Sequence, residues 1–461
     1  MKRLRNKKGL LEALVVIGLI LLIPLFFTMR TTAEQNAAPN TPAPPLPTVA
    51  VNAPQDSNAL APKQPPACTF PLAQTTTADA VPEEYVFSEP QVVLTADSSI
   101  DIVEWLPDNE RALITQIFQD NSQQNIELFN PQTGEIQIYA TRHRTEQHPK
   151  WMSASNAVLY SDTTVIKSAK ANGMNLPPYE FQRQLWISRG DPKNAQLIED
   201  DRLIANGISE FSIVVKPGKN QVVYRSYEDK KLSKRTATLT GLQSVIFDPS
   251  QWEHRKDFPQ SGYYNMAWRP NASQILLYNV GDVGGYTFLF DADTGQICEI
   301  DLGSEGSENG WADIARWSPD GKYLAVIRTW GRRPVETSDL VVLNTMSGKL
   351  DEMKIIPPDI EGAHFVNDVA WAPDSQHLVA IAQSLIRNQT TYAYDKISNL
   401  YLVDFLSGQA HQIPSSNEKL GSGLGKTNLI WSDDGSQLLV KCPANQIDRL
   451  CLLSVQKNIQ P

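Results

Sequence analysis

The chain has 461 residues, 41% of them hydrophobic, with 31 Pro and 25 Gly: enough apolar content for a large core and enough turn formers for many short strands. Its formal charge is −10 at pH 7, yet Lys2, Arg3, Arg5, Lys7 and Lys8 crowd the first nine residues, leaving about −15 on the remainder. That sign argues against a phosphate-backbone partner, so no nucleic-acid role is expected.

Residues 1–9 form a basic segment, and residues 10–29 read LLEALVVIGLILLIPLFFTM. A stretch of that length crosses ~30 Å of hydrocarbon as a helix. Cations precede it and only Arg30 directly follows, so the positive-inside rule places the N-terminus in the cytoplasm. The expectation is a single-pass transmembrane helix, a signal-anchor in the cell membrane, with everything downstream extracytoplasmic. A cleaved signal peptide, cut near Thr31-Thr32-Ala33, would give a secreted product instead. Lys8-Gly9 before the apolar run also resembles the prepilin class of secretion signals, although Glu12 stands third after the Gly where that class carries its Glu fifth. Residues 30–84, rich in Pro, Ala, Thr, Asn and Gln, read as a disordered linker between membrane and domain.

Residues 85–461 carry a repeat. Small or apolar residues lead into a Trp, a Pro/Asp turn follows, and an alternating apolar run comes next. The copies are VEWLPDNERALIT, PKWMSASNAVLYS, SIVVKPGKNQVVYRS, MAWRPNASQILLYN, IARWSPDGKYLAVIR, VAWAPDSQHLVAIA and LIWSDDGSQLLVKC. Their anchors are Trp105, Trp151, Val215, Trp268, Trp317, Trp371 and Trp431. A second strand–turn–strand motif, as in YTFLFDADTGQICEI and LVVLNTMSGKLDEM, follows the first. Alternation at period two makes half-buried strands, and Pro-Asp-Gly tetrads close tight turns. Each unit therefore predicts a four-stranded antiparallel sheet, and units packed radially bury a continuous core. The fold class expected is all-β, a seven-bladed β-propeller with the Trp side chains between blades.

The last unit ends with DRLCLLSV and has little chain for a fourth strand. PQVVLT, from Pro90 to Thr95, stands alone upstream and is expected to complete that sheet. Four cysteines are too few for a disulfide framework. Cys442 and Cys451 would be cross-strand neighbours and form a disulfide candidate; Cys68 and Cys298 are left over, and inert thiols are the plain alternative.

WSPDGKYLAVIR, AWAPDSQHLVAIA and IWSDDGSQLLV resemble the WD40-like propeller repeats of the TolB type, with their W-S-P-D-G turn. The resemblance implies the propeller fold over about 370 residues. TolB itself carries an additional N-terminal α/β domain, a place taken here by the apolar segment and linker, so its role does not carry over.

Connections should alternate between two faces, short turns on one and long loops on the other. The long ones are 161–184, 249–264, 302–312, 329–338, 383–396 and 415–426, and binding usually resides in such loops. They carry Tyr179, Trp252, Tyr263, Tyr264, Trp311, Trp330, Arg332, Arg333, Tyr392 and Tyr394, the candidate partner-binding set. An envelope protein or surface glycan is the expected partner.

Catalytic patterns are sparse. No G-x-S-x-G motif occurs, and no sequence remains for a separate hydrolase domain. The six His residues show no zinc spacing. LGSGLGKT, from Leu420 to Thr427, misses the first Gly of a phosphate loop, and Asp291-Ala292-Asp293-Thr294-Gly295 lacks the distal Glu of a calcium loop. The expectation is a binding or scaffold module without catalysis, metal or cofactor. The alternative is a propeller enzyme acting on envelope glycans or peptides with carboxylates around the central channel. Carboxylates converging at the channel mouth with perturbed pKa values would favour the alternative.

Overall fold

The computed structural model describes residues 67–70 and 83–459, less the stretches 119–121, 146, 169–178, 206–211, 220, 226–231, 237–243, 248–263, 280–286, 303–310, 331–336, 356–362, 388–393, 414–428 and 443–446. The apolar segment at 10–29 lies outside them. Among the described residues no helix is long and apolar enough to cross a membrane.

Six antiparallel sheets of four strands form blades A (99–143), B (150–205), C (212–247), D (264–299), E (311–353) and F (363–412). Within each, the strands follow one another from the innermost to the outermost. Seven such blades were expected; among the described residues the count of four-stranded blades is corrected to six. The seventh repeat instead gives three strands to a composite sheet of five, whose other two come from the N-terminal side.

Second strands are covered on both faces, which is why they read as apolar runs. In Ala112–Ile117, Ala112 and Ile114 join the core shared with the composite sheet, while Leu113 joins the core shared with blade B. Equivalent cores lie between B and C, C and D, D and E, E and F, and F and the composite sheet. Every anchor ends or nearly ends an innermost strand and sits in one of these cores or against it: Trp371 in the E–F core, Trp431 in the next, Trp317 against D–E. Indole N–H groups reach back to the preceding blade, Trp371 Nε1 to the Arg316 carbonyl at 2.9 Å and Trp317 Nε1 to the Ala267 carbonyl at 3.3 Å.

The W-S-P-D-G turn contributes to the same seam. In blade E the Ser318 hydroxyl donates to Asp320 at 2.7 Å, and Asp320 accepts the Lys322 N–H at 3.0 Å. Gly321 has φ +72°, and a Cβ there would stand 2.6 Å from the Pro270 carbonyl oxygen of blade D. Only glycine meets both conditions.

Closure uses both ends of the domain. Asp448–Ile459, twelve residues long, pairs first with Gln437–Lys441 and carries two N-terminal strands one after the other. Gln91–Ala96 pairs with residues 448–452, as expected for Pro90–Thr95. Glu83–Phe87 continues along residues 455–459, a pairing the sequence reading did not include. Cys442 and Cys451 are joined, with Cα atoms 5.8 Å apart, and so are Cys68 and Cys298, 4.8 Å apart. The second bond holds Ala67–Phe70 against blade D, so the free linker expected over 30–84 is corrected at these positions and at Glu83–Glu84.

Glu83–Phe87 is clipped to blade F by one buried side chain. Tyr85 Oη donates to Asp374 Oδ2 at 2.7 Å, and His377 Nδ1 meets the same oxygen at 2.7 Å. Tyr85 also packs edge-on against Trp431, with ring centroids 5.6 Å apart. Desolvation works to raise the Asp374 pKa. The bonds from His377, the Gln376 N–H and Tyr85 outweigh it and hold the carboxyl well below the usual range. A depressed native pKa gives stability that is complete above the unfolded value near 3.9 and is lost as pH falls toward the native one. Tyr85→Phe should therefore cost about 1.5–3 kcal/mol in urea melts at neutral pH, the range for a hydrogen bond to a charged group. The loss should persist down through the ordinary carboxylate range, and an unchanged midpoint would show that the clip holds nothing.

Candidate functional site

Because side chains alternate along a strand, the residue before each anchor points away from the core that its anchor enters. These residues include Glu104 of blade A, Lys150 of B, Val214 of C, Ala267 of D and Arg316 of E. All five line one cavity of about 420 Å³. Pro107, Ser153, Pro217, Pro270 and Asp433 frame it, all within or at the start of turns between first and second strands. The cavity is thus the mouth of the central channel on the short-turn face. Trp105, Trp151, Trp268 and Trp317 contribute to its wall, with Met266 and Tyr278.

The electrostatics are those of charge held partly out of water. Glu104 Oε1 accepts the Trp151 N–H at 2.6 Å. Desolvation raises the Glu104 pKa, the Lys150 charge and the Trp151 N–H lower it, and the Asp433 charge raises it further; the net direction is upward. Asp433, exposed at the mouth, is also raised, by partial desolvation among the turns and then by Asp434. Lys150 is displaced downward by desolvation, with Glu104 opposing and Arg316 reinforcing. His148, just upstream, is pushed down to about 3 by desolvation and by Lys150, against the pull of Asp101, so its imidazole is neutral at physiological pH.

Two acidic partners secure the cations deeper in the ring. Arg316 Nη2 lies 3.7 Å from Oδ1 of the fully buried Asp368, which also accepts the Val369 N–H at 2.9 Å. Lys441 Nζ donates to Asp101 Oδ1 at 2.9 Å. Chemically the mouth offers a carboxyl group that keeps its proton above the usual range, a second raised carboxyl, and two cations.

The residues expected to bind fall elsewhere. Tyr179, Tyr264, Trp311, Trp330 and Tyr394 occupy strand ends on the long-connection face, away from this mouth. Register places Trp311 opposite Thr329, the residue next to Trp330. Trp252, Tyr263, Arg332, Arg333 and Tyr392 lie outside the described residues. Two of the long loops are also shorter than expected. Strands run on to Ser168 and resume at Tyr179 in blade B, and run on to Arg387 and resume at Tyr394 in blade F. Glu104, Lys150, Arg316 and Asp433 were not singled out from sequence. Their signal was a charged residue directly before a Trp anchor, or two after it.

No protein-family model matches the chain. No curated protein matches it either. Solved structures do resemble it. An oligogalacturonate lyase from Vibrio parahaemolyticus is 14% identical with a TM-score of 0.47, over 81% of this chain and 98% of that one. The β-propeller domain of the Trilobed protease from Pyrococcus furiosus is 12% identical with a TM-score of 0.41, over 72% and 99%. A xyloglucanase from Xanthomonas campestris is 11% identical with a TM-score of 0.44, over 79% and 54%. The likeness is one of fold, the β-propeller. The expectation that this chain is not an enzyme is corrected: solved structures that share its fold include a lyase and a xyloglucanase.

The raised native pKa of Glu104 has a consequence for stability. An acid whose folded value lies above its unfolded one favours folding most when protonated, and that contribution is lost as pH rises through the native pKa. Glu104→Gln keeps an acceptor for the Trp151 N–H and removes the desolvated charge. The variant should be more stable than the parent at pH 7 and indistinguishable from it below pH ~4, where both carboxyl states are protonated. Urea titrations at the two pH values test this, and a variant less stable at pH 7 would contradict it.

Proposed function

We propose that this chain is a membrane-tethered, extracytoplasmic propeller enzyme that acts on envelope glycans by general acid–base catalysis at the short-turn mouth of its channel. The observation that carries the reading is the convergence of Glu104 and Asp433, both raised in pKa, on one cavity with Lys150 and Arg316. Groups displaced by desolvation and specific neighbours within a cleft are the signature of acid–base sites. Glu104, protonated above the usual carboxyl range, donates a proton to a leaving oxygen. Asp433 faces the same space as the partner carboxyl, and Lys150 and Arg316 orient the polar substituents of the substrate. The four indoles offer apolar wall to the C–H faces of sugar rings.

The sequence and the cysteines support this address. A basic head before the apolar stretch 10–29 supports a cytoplasmic N-terminus, and the pairings Cys68–Cys298 and Cys442–Cys451 suit an oxidising compartment. The W-S-P-D-G turn at Ser318–Gly321 and its W-S-D-D-G counterpart at Ser432–Gly435 support placement among TolB-type propellers.

The test is incubation of the full-length protein in detergent with isolated envelope glycans, following new chain ends. Glu104→Gln should lower turnover by about 10²–10⁴-fold, the usual share of a positioned general acid. The parent's rate should fall as pH rises through the Glu104 value. Turnover by Glu104→Gln within a few-fold of the parent would sink the assignment.

A further inference from the structure

The N-terminal segment touches four successive parts of the ring. Ala67 bridges to Glu299 in parallel, and the Cys68 N–H donates to the Glu299 carbonyl at 2.9 Å, which adds chain to the outer edge of blade D. Cys68 is bonded to Cys298 in that edge strand. Phe70 packs against the core between D and E and lies over Gly348 of blade E, where a Cβ would come within 3.2 Å of its ring. Tyr85 then reaches Asp374 of blade F, and Glu83–Phe87 and Gln91–Ala96 pair with the final strand of the composite sheet.

We propose that the described segments 67–70 and 83–96 act together as a belt that holds the ring closed, with Cys68–Cys298 as a buckle whose thiol–disulfide state sets how firmly Glu83–Phe87 stays docked. Three observations converge on it. The contacts run in order from D through E and F to the composite sheet, a part of the ring that no other disulfide crosses among the described residues. Glu83–Phe87 is itself a peripheral strand of five residues, the kind of element that opens locally before the core does. An anchor fifteen residues upstream limits how far it travels when it opens, which destabilises the open state by restricting its chain entropy.

The two disulfides differ in access. Cys442 and Cys451 are 0% exposed, whereas Cys68 and Cys298 are only partly buried at a sheet edge. Thiol–disulfide exchange needs a thiolate to reach a sulfur. A small dithiol therefore reduces the buckle first: it transfers two electrons and two protons, Cys68 and Cys298 become thiols, and the dithiol closes into its own disulfide. The belt is then held by the Phe70 contact, the Tyr85 clip and the strand ladder alone. This device does not depend on the enzymatic reading.

The experiment uses the full chain purified in its oxidised form. Brief treatment with dithiothreitol, alkylation and mass spectrometry should label Cys68 and Cys298 while Cys442 and Cys451 stay bonded. Hydrogen exchange should then rise several-fold in Glu83–Phe87 and its partner residues 455–459, with little change in blades A and B, and should return on reoxidation. The double variant Cys68→Ser, Cys298→Ser should show the raised exchange without reductant. Simultaneous labelling of all four cysteines, or exchange at Glu83–Phe87 that is the same in both redox states, would overturn the proposal. Reversal in the parent chain keeps the result independent of how well the variant folds.

Discussion

A single placement governs most of this molecule: a large anchor side chain at the end of each innermost strand, turned sideways into the neighbouring blade. An antiparallel meander of four strands has two apolar faces and cannot bury either alone. The anchor settles which surface meets which, because it enters the core between its own blade and the one before. Trp371 and Trp317 add a hydrogen bond to the preceding inner strand. Where Val215 replaces the indole, in blade C, it packs at the edge of the core with blade B, with no ring to bridge the seam. The same alternation that sends the indole into one core turns its neighbour to the opposite side, so the packing of the anchor and the placing of Glu104, Lys150 and Arg316 at the cavity are fixed by one register.

A ring also has to end. The composite sheet closes it by pairing the final strand with chain from the far end of the domain, so neither terminus is free to peel without breaking a ladder. Tyr85 strengthens this by tying the added strand to Asp374 and His377 of the previous blade, which makes closure partly a matter of buried polar contacts. Cys442–Cys451 lies inside that sheet and is fully buried, so it braces the strands that receive the N-terminal pair.

Much of this was legible in the chain. The recurring Trp, the Pro/Asp turn and the alternating run located every inner strand, and PQVVLT was recognisable as a strand without a sheet. Legibility failed where a residue's role depends on a partner remote in sequence. Glu83–Phe87 pairs with Val455–Ile459 across the whole domain, and the polar tail QKNI gives no local sign of a strand. Cys68 and Cys298 are 230 residues apart, and nothing near Cys68 marks it as docked. The mouth was missed for another reason. Long loops drew attention to one face, whereas the short turns on the other bring Pro107, Pro217, Pro270 and Asp433 around a cavity because they are short.

The treatment of charge separates structure from chemistry in this ring. Arg328, a buried cation of blade E away from the mouth, is matched closely. Arg328 meets Asp339 through two bonds, at 3.1 and 2.6 Å, and also donates to the Leu302 carbonyl at 2.7 Å. At the mouth Glu104 and Asp433 are both displaced toward their protonated forms. Desolvated charge is a poor way to stabilise a protein, and apolar side chains of similar size often do better. Val214 and Ala267 show that the same register position accepts such side chains elsewhere in the ring. The charges at Glu104, Lys150 and Arg316 are therefore not demanded by packing at that register position.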